Sequence, residues 1–271
     1  MKKRFPILSV LLVLVLAAAL AGCGQSGQSS QQQPPSGAPA EQTAWEKIRE
    51  AGVMTVGNSP DYEPFEYEDG QGNVVGFDID LLALLCEELG IDYELRNISF
   101  ENIETAVQTG QVDIGLSCFS ITPERQQTFD FSIPYFSGGQ ALAVNPDSGY
   151  TTIEDLHGKT ITAGMGTSGM EAAEEHIPGA NIIGMDNYAL AFMQLKNGGC
   201  DAAVADLPVV RNYAAKDGFV ILDEILSYED NAIIIRKGNE DLVEALDGAI
   251  RTLTDNGKIG ELVDKWLIGD E

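Results

Sequence analysis

The chain has 271 residues, and its 42 acidic against 16 basic side chains leave a formal charge of −26. So acidic a surface repels phosphate and excludes nucleic acid as a partner; it speaks first to solubility and only mildly to an attraction for cations. Four cysteines and two histidines at wide, irregular spacing support neither a disulfide framework nor a metal site. Cys86, Cys118 and Cys200 are therefore expected as free, buried thiols, with no metal and no cofactor.

The N-terminus reads as an export signal. Lys2, Lys3 and Arg4 precede an apolar run from Ile7 to Ala21, interrupted only by Ser9. That run is too short for a comfortable bilayer span and leaves through small residues, the pattern of a cleaved signal peptide over 1–22. Leu20-Ala21-Gly22-Cys23 resembles the bacterial lipobox, which implies that Cys23 is lipidated and anchors the protein to the cell membrane of a bacterium. Gly24 to Ala44 is Gly, Ser, Gln, Pro and Ala with almost no charge, so 23–44 reads as lipidated cysteine and flexible linker.

From Trp45 onward the elements alternate. A short helix at 45–49 leads to a strand at 53–57, and Asn58 to Phe65 is turn chemistry carrying aromatics. Apolar residues at 77, 81, 84, 85 and 89 have helical spacing. Asp78 and Asp80 near that helix's start suit its dipole. A strand at 92–96, a helix at 101–109 and a strand at 112–116 follow. The alternation then returns, with strands at 159–163, 181–184, 201–205 and 232–236. The helices between and after them fall at 170–176, 188–196, 207–215 and 240–267. Such alternation predicts two similar α/β lobes built on mostly parallel sheets.

Ser117 to Arg125 lies at the carboxyl end of a strand, where open α/β sheets place ligands. It offers hydroxyls, backbone N–H groups and one guanidinium, which grips a carboxylate through two parallel hydrogen bonds. A surface ion pair with Glu124 or another neighbour is the alternative for Arg125. Asp206 also ends a strand, either as an anionic partner for a ligand or as the N-cap of the next helix, with Pro208 in its first turn. Tyr62 and Phe100 are site aromatics or core aromatics. Gly164-Met165-Gly166-Thr167-Ser168-Gly169 fits a dinucleotide fingerprint, but the same helix N-terminus serves a carboxylate equally well.

Tyr62-Glu63-Pro64-Phe65-Glu66, Gly76-Phe77-Asp78-Ile79-Asp80-Leu81, Ser120-Ile121-Thr122-Pro123-Glu124-Arg125, Phe129 to Tyr135 and Asp155-Leu156-His157-Gly158-Lys159-Thr160 together resemble the polar amino-acid-binding proteins of ABC importers, the family 3 extracellular solute-binding proteins. The resemblance covers essentially all of 45–271. It implies an α/β two-lobed periplasmic-binding-protein fold of the type II, Venus flytrap kind. Lobe 1 would comprise 45–136 and 232–271, lobe 2 would comprise 141–226, and two hinge strands would lie at 137–140 and 227–231. It further implies that Arg125 grips the ligand α-carboxylate with backbone N–H groups of Ser120 and Ser168. Asp206 would take the α-ammonium with the Ser120 hydroxyl and the Cys118 carbonyl, and Tyr62 and Phe100 would pack on the side chain. Asn58, Ser59, Ser117, Gly164, Gly166 and Thr167 complete the expected site.

Where many relatives carry an aspartate this chain has Ser59, and Gly164, Gly169 and Ala205 are small. That pattern leans toward a neutral polar amino acid or cystine; a basic ligand or glutamine stays open because Asp61 and Glu63 lie in the same loop. The expected partners are an amino acid, an ABC permease and, through the anchor, a membrane, with a monomeric body. The rivals are an exported enzyme on the same fold, of the cyclohexadienyl dehydratase kind, and an amino-acid-sensing module.

Overall fold

The computed structural model describes residues 42–268, so the expected signal peptide, Cys23 and all but the last residues of the linker lie outside the described residues. Thr43 and Glu46 form a reciprocal capping box that starts α1 (Ala44–Ala51). There follow β1 (Val53–Asn58), β2 (Asp61–Tyr62), β3 (Glu66–Glu68), β4 (Val74–Val75), α2 (Phe77–Leu89), β5 (Asp92–Asn97), α3 (Phe100–Thr109) and β6 (Ile114–Gly115). Next come α4 (Arg125–Thr128), β7 (Phe129–Phe131), β8 (Phe136–Val144), β9 (Thr160–Gly164), α5 (Ser168–His176), β10 (Asn181–Met185), α6 (Tyr188–Lys196) and β11 (Ala202–Asp206). The chain closes with α7 (Leu207–Asp217), β12 (Val220–Ile221), β13 (Ser227–Asn231), β14 (Ile234–Arg236), α8 (Glu240–Asp255) and α9 (Lys258–Trp266).

Two sheets define two lobes. The first runs β5-β1-β6-β14-β7, with β5, β1 and β6 parallel and β14 antiparallel to both of its neighbours. The second runs β10-β9-β11-β8-β12, again with a parallel core of three strands. Strands covered on both faces read as continuous apolar runs, and β11 shows this, with all five of its residues buried. In the first lobe Leu81, Leu82 and Leu85 of α2 pack with Leu246 and Ile250 of α8, while Ile103 and Val107 of α3 cover the other face. In the second, Phe192 and Leu195 of α6 lie on one face and Ala172 and Ala173 of α5 on the other.

The long strand β8 joins the lobes. Its Phe136–Gln140 half pairs antiparallel with β13, and its Ala141–Val144 half pairs with β11. The stretch 58–65, expected as loop alone, instead contributes β2, which joins β3 and β4 in a small antiparallel sheet. These strands are two or three residues long, below the length at which side-chain alternation can be read from sequence. Phe100 opens α3 rather than lying in a loop, and β6 is shorter than the strand expected over 112–116. Cys86, Cys118 and Cys200 are unpaired and buried.

Candidate functional site

The carboxyl ends of β1, β6, β9 and β11 converge on one narrow cavity between the lobes, of about 30 Å³. Ser59, Tyr62, Phe100, Ser117, Cys118, Ser120, Arg125, Gly164, Thr167, Ser168 and Asp206 all line it. Two of the expected residues do not. Asn58 is fully buried beneath the site, its side-chain amide donating to the Leu116 carbonyl at 2.7 Å. Gly166 turns its carbonyl toward Arg125 instead.

Arg125 is 7% exposed, and its guanidinium lies 5.5 Å from the Phe100 ring centroid and 5.2 Å from that of Phe119. Nε donates to Glu104 Oε1 at 2.8 Å, Nη1 to the Ser120 carbonyl at 3.2 Å and Nη2 to the Gly166 carbonyl at 3.0 Å. The ion pair is thus with Glu104 and not with Glu124. A guanidinium has five N–H donors, so two remain for a bound carboxylate. Across the cleft, α5 begins at Ser168 with Thr167 as its N-cap, the Thr167 hydroxyl accepting from Met170 N–H at 3.3 Å. The helix N-terminus adds donors and a favourable dipole for an anion. The Ser120 and Ser168 hydroxyls meet at 2.9 Å.

Asp206 is 3% exposed, and its Oδ2 accepts from the Tyr62 hydroxyl at 2.6 Å. Its own N–H donates back to that hydroxyl at 2.8 Å. Asp206 occupies the N-cap position of α7 but makes no side-chain capping bond, and its Oδ1 has no partner within the protein. Its carboxylate is therefore directed into the cleft and not spent on the helix. Burial raises its pKa to about 6. Cys118 stands beside it in the left-handed region, φ 51°, a conformation that non-glycine residues keep only where their surroundings enforce it. Its N–H donates to Asp78 Oδ2 at 2.8 Å and its carbonyl accepts from Asn231 Nδ2 at 2.9 Å.

The remainder of the cavity is more acidic and more aromatic than the sequence indicated. Asp61, Glu66, Glu101 and Asp186 line it, with Gln140, Met165, Met185, Asn187 and Tyr188. Tyr62 and Tyr188 face each other from opposite lobes with ring centroids 4.4 Å apart. Gly164 permits this, because a Cβ there would lie 2.8 Å from the Tyr188 ring. Asp61 Oδ2 accepts from Tyr188 N–H at 3.2 Å, and burial raises its pKa against that bond and the Ser59 hydroxyl. Glu63, from the same loop, pairs instead with Lys216 on the other lobe. Glu66 belongs to a stretch that carried the family resemblance, but nothing in the sequence assigned it to the site. Tyr188 looked like an ordinary first residue of a helix.

A cleft between two α/β lobes joined by paired crossing strands defines a two-lobed protein of the periplasmic-binding-protein kind. The crystal structure of the ancestral amino acid-binding protein AncCDT-1, a precursor of cyclohexadienyl dehydratase, superposes with a TM-score of 0.78 at 35% identity, covering 83% of this chain and 100% of that one. A mutant of ArgBP from T. maritima does so with a TM-score of 0.78 at 36% identity, covering 82% and 98%. The model of the bacterial extracellular solute-binding proteins, family 3, matches residues 54–269, and the chain belongs to that family. It is 32% identical to the arginine-binding extracellular protein ArtP of Bacillus subtilis (strain 168), over 80% of this chain and 87% of that protein. It is 28% identical to the L-cystine-binding protein TcyJ of Escherichia coli (strain K12), over 85% and 88%.

Proposed function

We propose that this protein is the extracytoplasmic receptor of an ABC importer and that its ligand is an amino acid with a cationic side chain. The observation that carries the ligand class is the charge balance of the cavity. Arg125 and Asp206 are the two groups a zwitterion needs, one for each end. Once they are assigned, Asp61, Glu66, Glu101 and Asp186 line the remaining space with no second cation among the lining residues. A neutral side chain would leave those carboxylates uncompensated, whereas a guanidinium or ammonium answers them. This revises the lean toward a neutral ligand that rested on Ser59 and Gly164, because Glu66 replaces the acidic group that Ser59 lacks.

In this reading Arg125, with the N–H groups of Ser120 and Ser168, holds the α-carboxylate. Asp206 and the Ser120 hydroxyl hold the α-ammonium, and Tyr62, Phe100 and Tyr188 enclose the side chain. The hinge lies at 137–140 and 227–231, a division supported by the pairing of β8 with β13. The lobes 45–136 with 232–271 and 141–226 turn about it, and the closed form docks on a permease. Cys23 carries the lipid anchor and the body is monomeric. Fatty-acid labelling that persists in Cys23→Ser would sink the anchor, and a dimer in sedimentation would sink the monomer.

The test is a thermal-shift series on protein unfolded and refolded to strip ligand, against each common amino acid and cystine. At a hundredfold over its dissociation constant a ligand stabilises by about 2.7 kcal/mol. Arginine, lysine or ornithine is expected to raise the melting temperature. A shift with neutral amino acids alone overturns the ligand class, and no shift with any overturns the receptor assignment. In that second case, product formation from a candidate substrate would support the exported enzyme.

A further inference from the structure

Glu66 and Asp78 form a carboxyl pair that the zwitterion does not use. Both side chains are fully buried, Glu66 on the cavity wall and Asp78 behind it at the start of α2. They converge on two consecutive residues. Ser117 Oγ donates to Glu66 Oε1 at 2.6 Å, and Cys118 N–H donates to Asp78 Oδ2 at 2.8 Å, where the Tyr135 hydroxyl also donates at 3.0 Å. The two carboxyl groups are close enough that each shifts the titration of the other. Each has one oxygen without a donor, Glu66 Oε2 and Asp78 Oδ1.

Two ionised carboxylates in contact, dry and without a counter-ion, are strongly disfavoured. Among the described residues neither takes part in an ion pair. The groups that face them are Asp61 on β2, Asp206 on β11, Cys118 after β6 and Tyr135 before β8, each acidic or neutral. A single proton held by the pair lowers its charge from −2 to −1 and gives the buried, unpartnered carboxyl oxygens a donor they otherwise lack.

Resting on the cationic-ligand reading above, we propose that Glu66 and Asp78 share one proton in the ligand-free protein and that a cationic ligand side chain displaces it to solvent. The pair is then the charge-selecting element of the site. The exchange balances: the proton leaves, the pair becomes doubly ionised, and the ligand's positive group supplies the missing counter-charge through Glu66. Burial raises both groups above the ordinary carboxylate range, Glu66 the more strongly of the two, so that the pair keeps its shared proton at neutral pH. A neutral ligand brings no counter-charge and leaves the proton in place.

Two measurements test this on the purified protein. Infrared difference spectroscopy is expected to show a protonated-carboxyl C=O band at neutral pH in the ligand-free state, lost on adding arginine and retained with citrulline. Its absence from the ligand-free wild-type protein overturns the proposal whatever the variants do. Calorimetry of arginine binding in two buffers of different ionisation enthalpy counts the protons released. Near pH 7 the wild type is expected to release about one more proton than Glu66→Gln or Asp78→Asn, with Glu87→Gln, on the exposed face of α2, behaving as wild type. Arginine affinity is expected to rise about tenfold per pH unit as pH is raised through neutrality. Arginine bound with no proton released overturns the exchange alone. A protein that binds no cationic amino acid overturns the ligand class and the exchange together.

Discussion

Arg125 and Asp206 bring opposite charges to the cleft from opposite lobes, and each is held by its neighbours. Glu104, the Ser120 carbonyl and the Gly166 carbonyl hold the guanidinium and leave two of its N–H groups free of protein partners. Arg125→Ala removes that fork and leaves a ligand carboxylate buried without a partner, a loss of about 3–5 kcal/mol, or more than a hundredfold in affinity by calorimetry. Arg125→Lys keeps the charge without the planar fork and is expected to recover only part. Asp206 must be ionised to receive an ammonium. With its pKa raised to about 6, affinity for a neutral amino acid such as citrulline is expected to hold steady above that pH and to fall as pH drops through it. Tyr62→Phe deletes the hydroxyl that donates to this carboxylate, so the fall should begin at a higher pH in a titration of the dissociation constant.

At the scale of elements, the start of α2 governs the acidic end of the pocket. Its N-cap, Gly76, has φ 135°, and a Cβ there would lie 2.2 Å from the Phe65 carbonyl oxygen. Phe77 N–H and Asp78 N–H donate to the Pro64 and Phe65 carbonyls at 3.0 and 2.9 Å, so the helix start is pinned against the strand that carries Glu66. Only glycine tolerates both that conformation and that approach. Gly76→Ala is therefore expected to cost about 2–3 kcal/mol in urea unfolding. It should also weaken arginine binding more than citrulline binding, since it separates Glu66 from Asp78. An unchanged midpoint would show that the turn has another way to close.

At the scale of the whole molecule, the closed cleft stores acid. Asp61, Glu66, Asp78 and Asp206 all have pKa values raised chiefly by burial, Asp206 to about 6 and Asp78 to about 7. Between about pH 4 and 7 the folded protein thus holds more protons than the unfolded chain, whose carboxyls have ordinary values. The contribution of these groups is complete below the unfolded values and is lost as pH rises through the folded ones. Ligand-free protein is therefore expected to melt at least about 5 °C lower at pH 8 than at pH 5, and arginine should narrow the gap by supplying a counter-charge. A ligand-free melting temperature that climbs steadily from pH 5 to pH 8 in calorimetry would contradict this.

The alternation of strands and helices, the ends of the parallel strands and the two groups of opposite charge were legible in the sequence, because periodicity and residue type act locally. Arg125, Asp206, Ser120, Ser168 and Tyr62 stand at strand ends or helix starts, where position along the chain already implies position in the cleft. The small sheet β2-β3-β4 was not legible, since strands of two or three residues carry no readable period. Nor was the role of Glu66, Asp78 and Tyr188. Asp78 reads as an acidic residue suited to a helix dipole and Glu66 only as the last residue of a motif; eleven residues, Gly76 among them, separate the two. Only the packing of α2 against β3 brings the two carboxyls together away from water, and it is that desolvation, absent from any local pattern, that sets the charge of the pocket.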